Sequence, residues 1–455
     1  MRILWLSIWS CASLLTACAS AGPPASGPDL AAGAPACEER PVQVASLLGN
    51  SVDHGDPKTW GRTLPGDAAK KILMSPQDIA ALNLRNRQDP WGYQDVLASE
   101  VVDPNRVAKE LRERFDWLAG RLSTKKYIEG APGTLAAAQR LADRSRPVIE
   151  ARVVTASTDL RCVPSVDGFY TEPVDRDFDR NQCSRLHVGE VVRVLRVSED
   201  ASWRYVHAGH SVGWVHGEVL TPALLLEDAQ AFRSPSRQVV VVADHEEQKL
   251  GLKLQIGTTL PLIDDEGHEG ELTVVVPTVS GLQAHRLDLE SDALHVGPLP
   301  FARADVWRLA LSTLGDPYGW GERDGNRDCS RLVLDVFGAF GIELGRHSLA
   351  QARSGSRTVD LKGLDERAKR EAIREAARDN VVLLYMPGHI MLYLGEFGGE
   401  PFAVSAISEF VAPCQGAGDQ VCRLDKITVS GLEIGRHTER TSYIERLSHL
   451  AVFGR

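Results

Sequence analysis

The stretch Asp316-Pro317-Tyr318-Gly319-Trp320-Gly321, followed by Asp328-Cys329-Ser330-Arg331-Leu332-Val333-Leu334-Asp335-Val336-Phe337-Gly338-Ala339-Phe340, decides how this chain is read. The second part is apolar-striped and opens on a cysteine, so it predicts a helix with Cys329 at its start. Backbone N–H groups and the positive end of the helix dipole stabilise S⁻ there, which predicts a thiol below its ordinary value of about 8.5. Far downstream, Pro387-Gly388-His389-Ile390-Met391-Leu392-Tyr393-Leu394-Gly395 places one histidine at the head of an apolar strand. One cysteine and one distant histidine are the minimal parts of a thiol hydrolase.

The chain has 455 residues, too many for one core, and is expected to divide into three or four units. With 43% hydrophobic and 25% charged residues each unit has the means to bury a core. The formal charge of −10 carries no basic block, which argues against nucleic acid as a partner. Met1-Arg2 followed by a mostly apolar Ile3–Leu15 reads as a secretion signal, 1–17, too short to span a membrane stably. Leu15-Thr16-Ala17-Cys18 resembles a bacterial lipobox, implying cleavage before Cys18 and its acylation. By resemblance to the usual sorting rule, in which aspartate after the cysteine marks inner-membrane retention, Ala19 implies the periplasmic face of an outer membrane. An ordinary cleaved signal with a chance cysteine is the alternative.

In an oxidising compartment some of the remaining cysteines are expected to pair. Cys162 with Cys183 and Cys414 with Cys422 are the local options, leaving Cys329 for chemistry and Cys37 unpaired. No spacing resembles a metal site, and no cofactor is expected.

Residues 18–45 read as a lipidated flexible tether rich in Ala, Gly and Pro. From 46 to 145 the apolar period is helical, with Ser75-Pro76 as a start signal and Phe115, Trp117 and Leu118 on a later face. From 146 to 222 the period shortens towards two, and Gly189-Glu190-Val191-Val192, Trp203-Arg204-Tyr205-Val206 and Gly213-Trp214-Val215 resemble bacterial SH3-like domains. Trp203, Tyr205 and Trp214 are expected in that core. A second all-β stretch, 223–300, looks like another such barrel. Residues 301–455 hold the candidate site. The fold class expected is α+β multidomain: an N-terminal helical segment, two small SH3-like β-barrels and a C-terminal papain-like α+β peptidase domain.

Around Tyr318, Cys329 and His389 the sequence resembles the NlpC-type papain-like cell-wall peptidases, and the order of domains resembles a branch acting on γ-D-glutamyl-diamino-acid bonds. The resemblance implies Cys329 as nucleophile and His389 as its acid–base partner, with peptidoglycan stem peptides or muropeptides as substrates and contact with the membrane only through the lipid anchor. It implies Tyr318 as an oxyanion donor, against a reading as a packed turn aromatic. Asp328 and Ser330 match positions that help grip a free peptide amine, although Asp328 is equally suited to cap the helix. Trp320 is placed with them as substrate-binding.

Relatives carry His, Asn or Gln at the third catalytic position; here it falls on Ser405, a short and weak orienter. Glu409 or His437 would have to fill in, or activity would be slowed or lost. His347 reads as structural or cleft-lining. Phe169, Tyr170, Asp177 and Asp179 lie in an insertion that would lean over the cleft or else be a solvated loop. The rival functions are a cell-wall-binding scaffold without catalysis, and a thiol acyltransferase or amidase on the same fold.

Overall fold

The computed structural model describes residues 52–124, 131–171, 174–248, 250–264, 271–288, 292–414 and 418–454. The signal (1–17), Cys18, the tether (18–45) and Cys37 lie outside the described residues. No helix among the described residues is long and apolar enough to cross a membrane.

The C-terminal unit is built on a six-stranded antiparallel sheet ordered Arg357–Asp360, His449–Phe453, Val381–Met386, His389–Phe397, Glu400–Cys414 and Gly418–Gly431. Val381–Met386 is buried along its whole length, as expected for an unbroken apolar run covered on both faces. One face supplies Leu383, Tyr385, Ile390, Leu392 and Leu394 to the core under helix Cys329–Gly338. The other face sets Val382, Leu384, Met386 and Met391 against Ile373 and Ala376 of helix Glu366–Ala377.

The N-terminal region is helical, with helices Pro76–Asn86, Pro104–Thr124 and Ala131–Asp143. Ser75 and Asp78 form the reciprocal cap that starts the first of these, with Pro76 in its first turn. That helix latches onto the C-terminal unit. Asn83 Nδ2 donates to the Gly341 carbonyl at 2.8 Å, and Arg87 forks onto Glu343 with two bonds of 2.7 Å. A short strand, Ile72–Met74, pairs with Phe301–Ala302 beside it.

The first β unit is a six-stranded sheet ordered Arg146–Val153, Val191–Val197, Trp203–His207, Val212–His216, Thr158–Arg161 and Gln182–Leu186. Its end strands do not pair among the described residues, so it is an open sheet rather than the closed barrel expected. The second unit, a five-stranded sheet with a separate pair Leu252–Leu254 and His245–Glu247, is likewise open. Trp203, Tyr205 and Trp214 are buried, but much of what covers them is Phe115 and Leu118 of helix Pro104–Thr124. The first β unit's own core is the Val154, Leu160, Val192, Val206 and Val215 cluster.

Cys162 and Cys183 are joined, with Cα atoms 5.1 Å apart. The pairing of Cys414 with Cys422 is corrected by strand register. On the long hairpin Cys414 sits opposite Gly418 and Cys422 opposite Phe410, so four ladder positions separate them, roughly 13 Å at the rise of a strand. A disulfide spans less than half of that. Cys422 is buried and not disulfide-bonded, and Cys414 is engaged in a different disulfide.

Between the first β unit and helix Cys329–Gly338 lies a buried ionic network. Arg331 meets Asp335 at 2.5 Å and Glu322 at 2.8 Å, and its Nη2 donates to the His187 ring at 2.7 Å. His187 also bonds Glu322, which has no solvent exposure. Burial pushes Glu322 up to about 7 against the pull of Arg331 and Arg346, and pushes His187 down to about 3 with Arg331 adding to the effect. A carboxylate and a guanidinium this deep are tolerated only because each answers the other. Arg331→Ala strands Glu322 without its cation and leaves Asp335 with Arg327 alone, and should cost about 3–5 kcal/mol, read as a lowered unfolding midpoint in urea and by circular dichroism on heating.

Candidate active site

Helix Cys329–Gly338 starts where the sequence placed it because Asp328 caps it, accepting from the Arg331 N–H at 2.9 Å. Its apolar positions Leu332, Val333, Val336 and Phe337 face the sheet. The opposite flank carries Arg331 and Asp335 into the ionic network. Cys329 is thereby held at the helix's first turn, 8% exposed, with the Ile390 N–H pointing at its sulfur.

Strand His389–Phe397 is joined to Val381–Met386 by the two-residue turn Pro387-Gly388, in which Met386 and His389 are cross-strand partners. The second turn residue needs a left-handed backbone, and Gly388 supplies it at φ +86. His389 is therefore the first residue out of a tight turn, one position from the amide that touches the thiol. Its Nε2 lies 3.1 Å from Ser405 Oγ, and Ser405 is buried on the neighbouring strand. Tyr443 packs on the imidazole with ring centroids 5.6 Å apart, in a short helix capped by Ser442 and Glu445. Neither Glu409 nor His437 takes the place considered for it: Glu409 pairs with Arg440 at 3.6 Å, and His437 is exposed at φ +63.

The charge state of the pair differs from the thiolate expected at a helix start. Burial, then the Asp328 carboxylate, push the Cys329 thiol up to about 12; the Ile390 amide, Arg346 and the Ser330 amide pull the other way but are outweighed. Burial and the Arg446 charge push His389 down to about 4, with Asp328 opposing. At rest both partners are neutral. A helix start favours S⁻ only when the sulfur is also solvated, and here a carboxylate occupies the residue before it.

Asp328 is the most heavily bonded group of the site. Its carboxylate accepts from the Gly321 N–H at 3.1 Å, Ser330 Oγ at 3.0 Å, the Arg331 N–H at 2.9 Å, and Arg346 Nη1 and Nη2 at 3.0 and 2.6 Å. Arg346 also reaches Ser330 Oγ at 2.6 Å and Ser184 Oγ of the first β unit at 2.8 Å. Arg346 was not singled out in the sequence, although its neighbour His347 was. His347 itself is exposed and edges against Trp91 with centroids 5.9 Å apart.

Tyr318 and Trp320 come from the loop before the helix. Gly321 in that loop has φ +60, and a Cβ there would meet the Gln182 carbonyl of the first β unit at 2.7 Å, so the close approach of the two units requires glycine. Phe178, from the insertion of the first β unit, packs on both aromatics, at 6.4 Å from Tyr318 and 5.4 Å from Trp320. Arg180 lies over Trp320 at 5.1 Å. Asp175 and Asp177 fasten the insertion to Arg423 with bonds of 2.6 Å. The insertion thus leans on the site loop, but through Phe178. Phe169 is fully buried, in the cluster that Phe115 and Leu118 of helix Pro104–Thr124 share with Trp203 and Trp214, and Asp179 pairs internally with Arg161 at 2.8 Å. Among the described residues no group of His, Cys, Asp and Glu is arranged to hold a metal.

Residues 315–405 match the model of the NlpC/P60 family, and residues 169–216 match that of the SH3 domain of SH3b1 type. Among solved structures, the chain is similar to an NlpC/P60 endopeptidase from Photobacterium damselae subsp. piscicida at 15% identity and a TM-score of 0.69, over 91% of this chain and 99% of that one. An NlpC/P60 family protein from Bacillus cereus ATCC 10987 aligns at 17% identity over 67% of this chain and 100% of that one, with a TM-score of 0.45, too low to bear on the fold. No curated protein matches the sequence significantly. The C-terminal unit, with Cys329 and His389 inside the matched span, is an NlpC/P60-family domain of the cysteine-peptidase type, carried behind an SH3-like domain.

Proposed function

We propose that this protein hydrolyses peptidoglycan stem peptides at the bond between D-glutamate and the diamino acid, with Cys329 as nucleophile, His389 as acid–base partner and Ser405 as the ring's orienting group. The single observation that carries the reading is the contact of His389 Nε2 with Ser405 Oγ. It supports a tautomer with the proton on Nε2, donated to the hydroxyl, leaving Nδ1 for the thiol. As Sγ attacks the scissile carbonyl carbon its proton passes to His389, so attack and deprotonation occur together rather than from a stored thiolate. The oxyanion is met by the Cys329 N–H, with the Tyr318 hydroxyl as second donor. His389 then protonates the leaving amine, the thioester is hydrolysed by a water that His389 deprotonates, and the free thiol returns.

We place the protein at the periplasmic face of an outer membrane, anchored through Cys18. The Cys162–Cys183 disulfide supports an oxidising compartment.

Incubating purified protein with a stem peptide and weighing the products by mass spectrometry should give fragments ending in D-glutamate, with none from Cys329→Ala; cleavage at the muramoyl-L-alanine bond instead would make it an amidase. Ser405→Ala should lower kcat by about 3–10-fold with KM little changed, because the ring loses a neutral hydrogen bond worth about 0.5–1.5 kcal/mol.

The proton-accepting form of His389 is the neutral ring, which is lost as pH falls through about 4, so kcat/KM should stay level from mildly acidic to neutral pH and drop only below that point. Without substrate, alkylation of Cys329 by iodoacetamide should be slow at neutral pH and rise about tenfold per pH unit without a plateau below pH ~9.

A further inference from the structure

A cavity of about 440 Å³ opens at the far end of strand His389–Phe397, between helices Arg303–Leu311 and Glu366–Ala377 and the Thr63-Leu64 loop of the N-terminal region. Gly395 in its wall is six residues along the strand from His389, roughly 20 Å at the rise of a strand, and the cavity shares no residue with the catalytic site. Its walls carry three guanidinium groups, from Arg303, Arg374 and Arg378, against one carboxylate, Glu396, which Arg374 already holds at 2.8 Å. Arg303 and Arg378 make no ion pair among the described residues, and Asp379 acts on Arg303 only from beyond ion-pair reach. Arg303 is 3% exposed, and a cation that deep ordinarily has a carboxylate beside it. Instead its Nη1 donates to the Ala377 and Arg378 carbonyls at 2.8 and 3.2 Å, its Nη2 makes one long bond of 3.4 Å to the Ala68 carbonyl, and its buried Nε has no partner. Ala377 and Arg378 end a helix, which supplies about half a negative charge, so the guanidinium keeps both charge and N–H groups unspent. The Tyr393 hydroxyl, on a side chain 7% exposed that lines the same cavity, has no hydrogen-bond partner among the described residues. Leu64, Trp307 and Leu394 make the rest of the wall apolar; Trp307 spends its N–H on the Tyr393 carbonyl at 3.3 Å and offers only its ring.

We propose that this cavity binds an organic oxyanion, a carboxylate or phosphate carried on a compact apolar body. The oxygens answer Arg303 and Arg378 and accept from the Tyr393 hydroxyl, while the body covers Trp307 and Leu64. An inorganic anion would meet the guanidinium groups but leave the apolar wall wet. A neutral molecule would cover the wall and leave the buried cation uncompensated. Binding here does not require the hydrolase activity.

Calorimetry of the wild-type protein at about 0.15 M salt, with phenyl phosphate, benzoate, inorganic phosphate and benzyl alcohol in turn, tests the site. Phenyl phosphate or benzoate should bind saturably, the tighter of the two identifying the oxyanion, with inorganic phosphate and benzyl alcohol at least about tenfold weaker. Arg378→Gln alters an exposed side chain with no ion pair to lose, and should raise the Kd of the tighter ligand about tenfold. Arg303→Gln, checked for an intact unfolding midpoint, should raise it further. A purely structural role for these arginines predicts no such change. No saturable binding of either organic anion, inorganic phosphate binding as tightly as they do, or a Kd unchanged in Arg378→Gln overturns the proposal.

Discussion

The arrangement depends on one carboxylate. Asp328 starts the helix that carries Cys329, ties down the Trp320-Gly321 loop through the Gly321 N–H, and receives Arg346, whose other arm reaches the first β unit at Ser184. A lone buried carboxylate would be costly; bonded to five donors it becomes a junction where loop, helix and neighbouring unit must agree in position. The same charge sits beside the sulfur and helps keep the thiol protonated. Burial is the larger reason that the nucleophile rests neutral, and the carboxylate that orders the site adds to it.

Behind this junction the interface between the β unit and the NlpC/P60 domain is ionic as well as apolar. Arg331, Glu322, Asp335 and His187 fill it, and Arg327 extends it to Asp244 of the second β unit with bonds of 2.6 and 2.7 Å. Such networks add less stability than hydrophobic packing of equal volume, but they admit few alternative registers. For a nucleophile helix wedged between a sheet and a second unit, a fixed register keeps the thiol under the Ile390 amide. Phe178 and the Asp175–Arg423 and Asp177–Arg423 pairs extend the β unit's hold to the loop in front of the site.

Much of this was legible in the sequence. The helix start at Cys329, the strand led by His389 and the serine beside the ring follow from local pattern: a capping aspartate before an apolar stripe, a Pro-Gly turn before an apolar run, and an aligned position on the next strand. What was not legible depends on contacts between distant segments. The thiol's protonation state is set by burial that sequence does not display. The partner of Asp328 is Arg346, which local spacing does not reveal, and Cys414 and Cys422 looked pairable until strand register set them apart. Phe178 lies within the insertion, but which aromatic turns towards the site depends on Phe169 being taken by the core shared with helix Pro104–Thr124.

The most direct measurement is a rapid acid quench of the protein during turnover of a stem peptide, followed by intact mass and fragment mapping. The account requires a thioester adduct, of the mass of the acyl half ending in D-glutamate, on Cys329 and on no other residue. Cleavage that proceeds with no adduct on Cys329, or with the acyl group on Cys422, would contradict it.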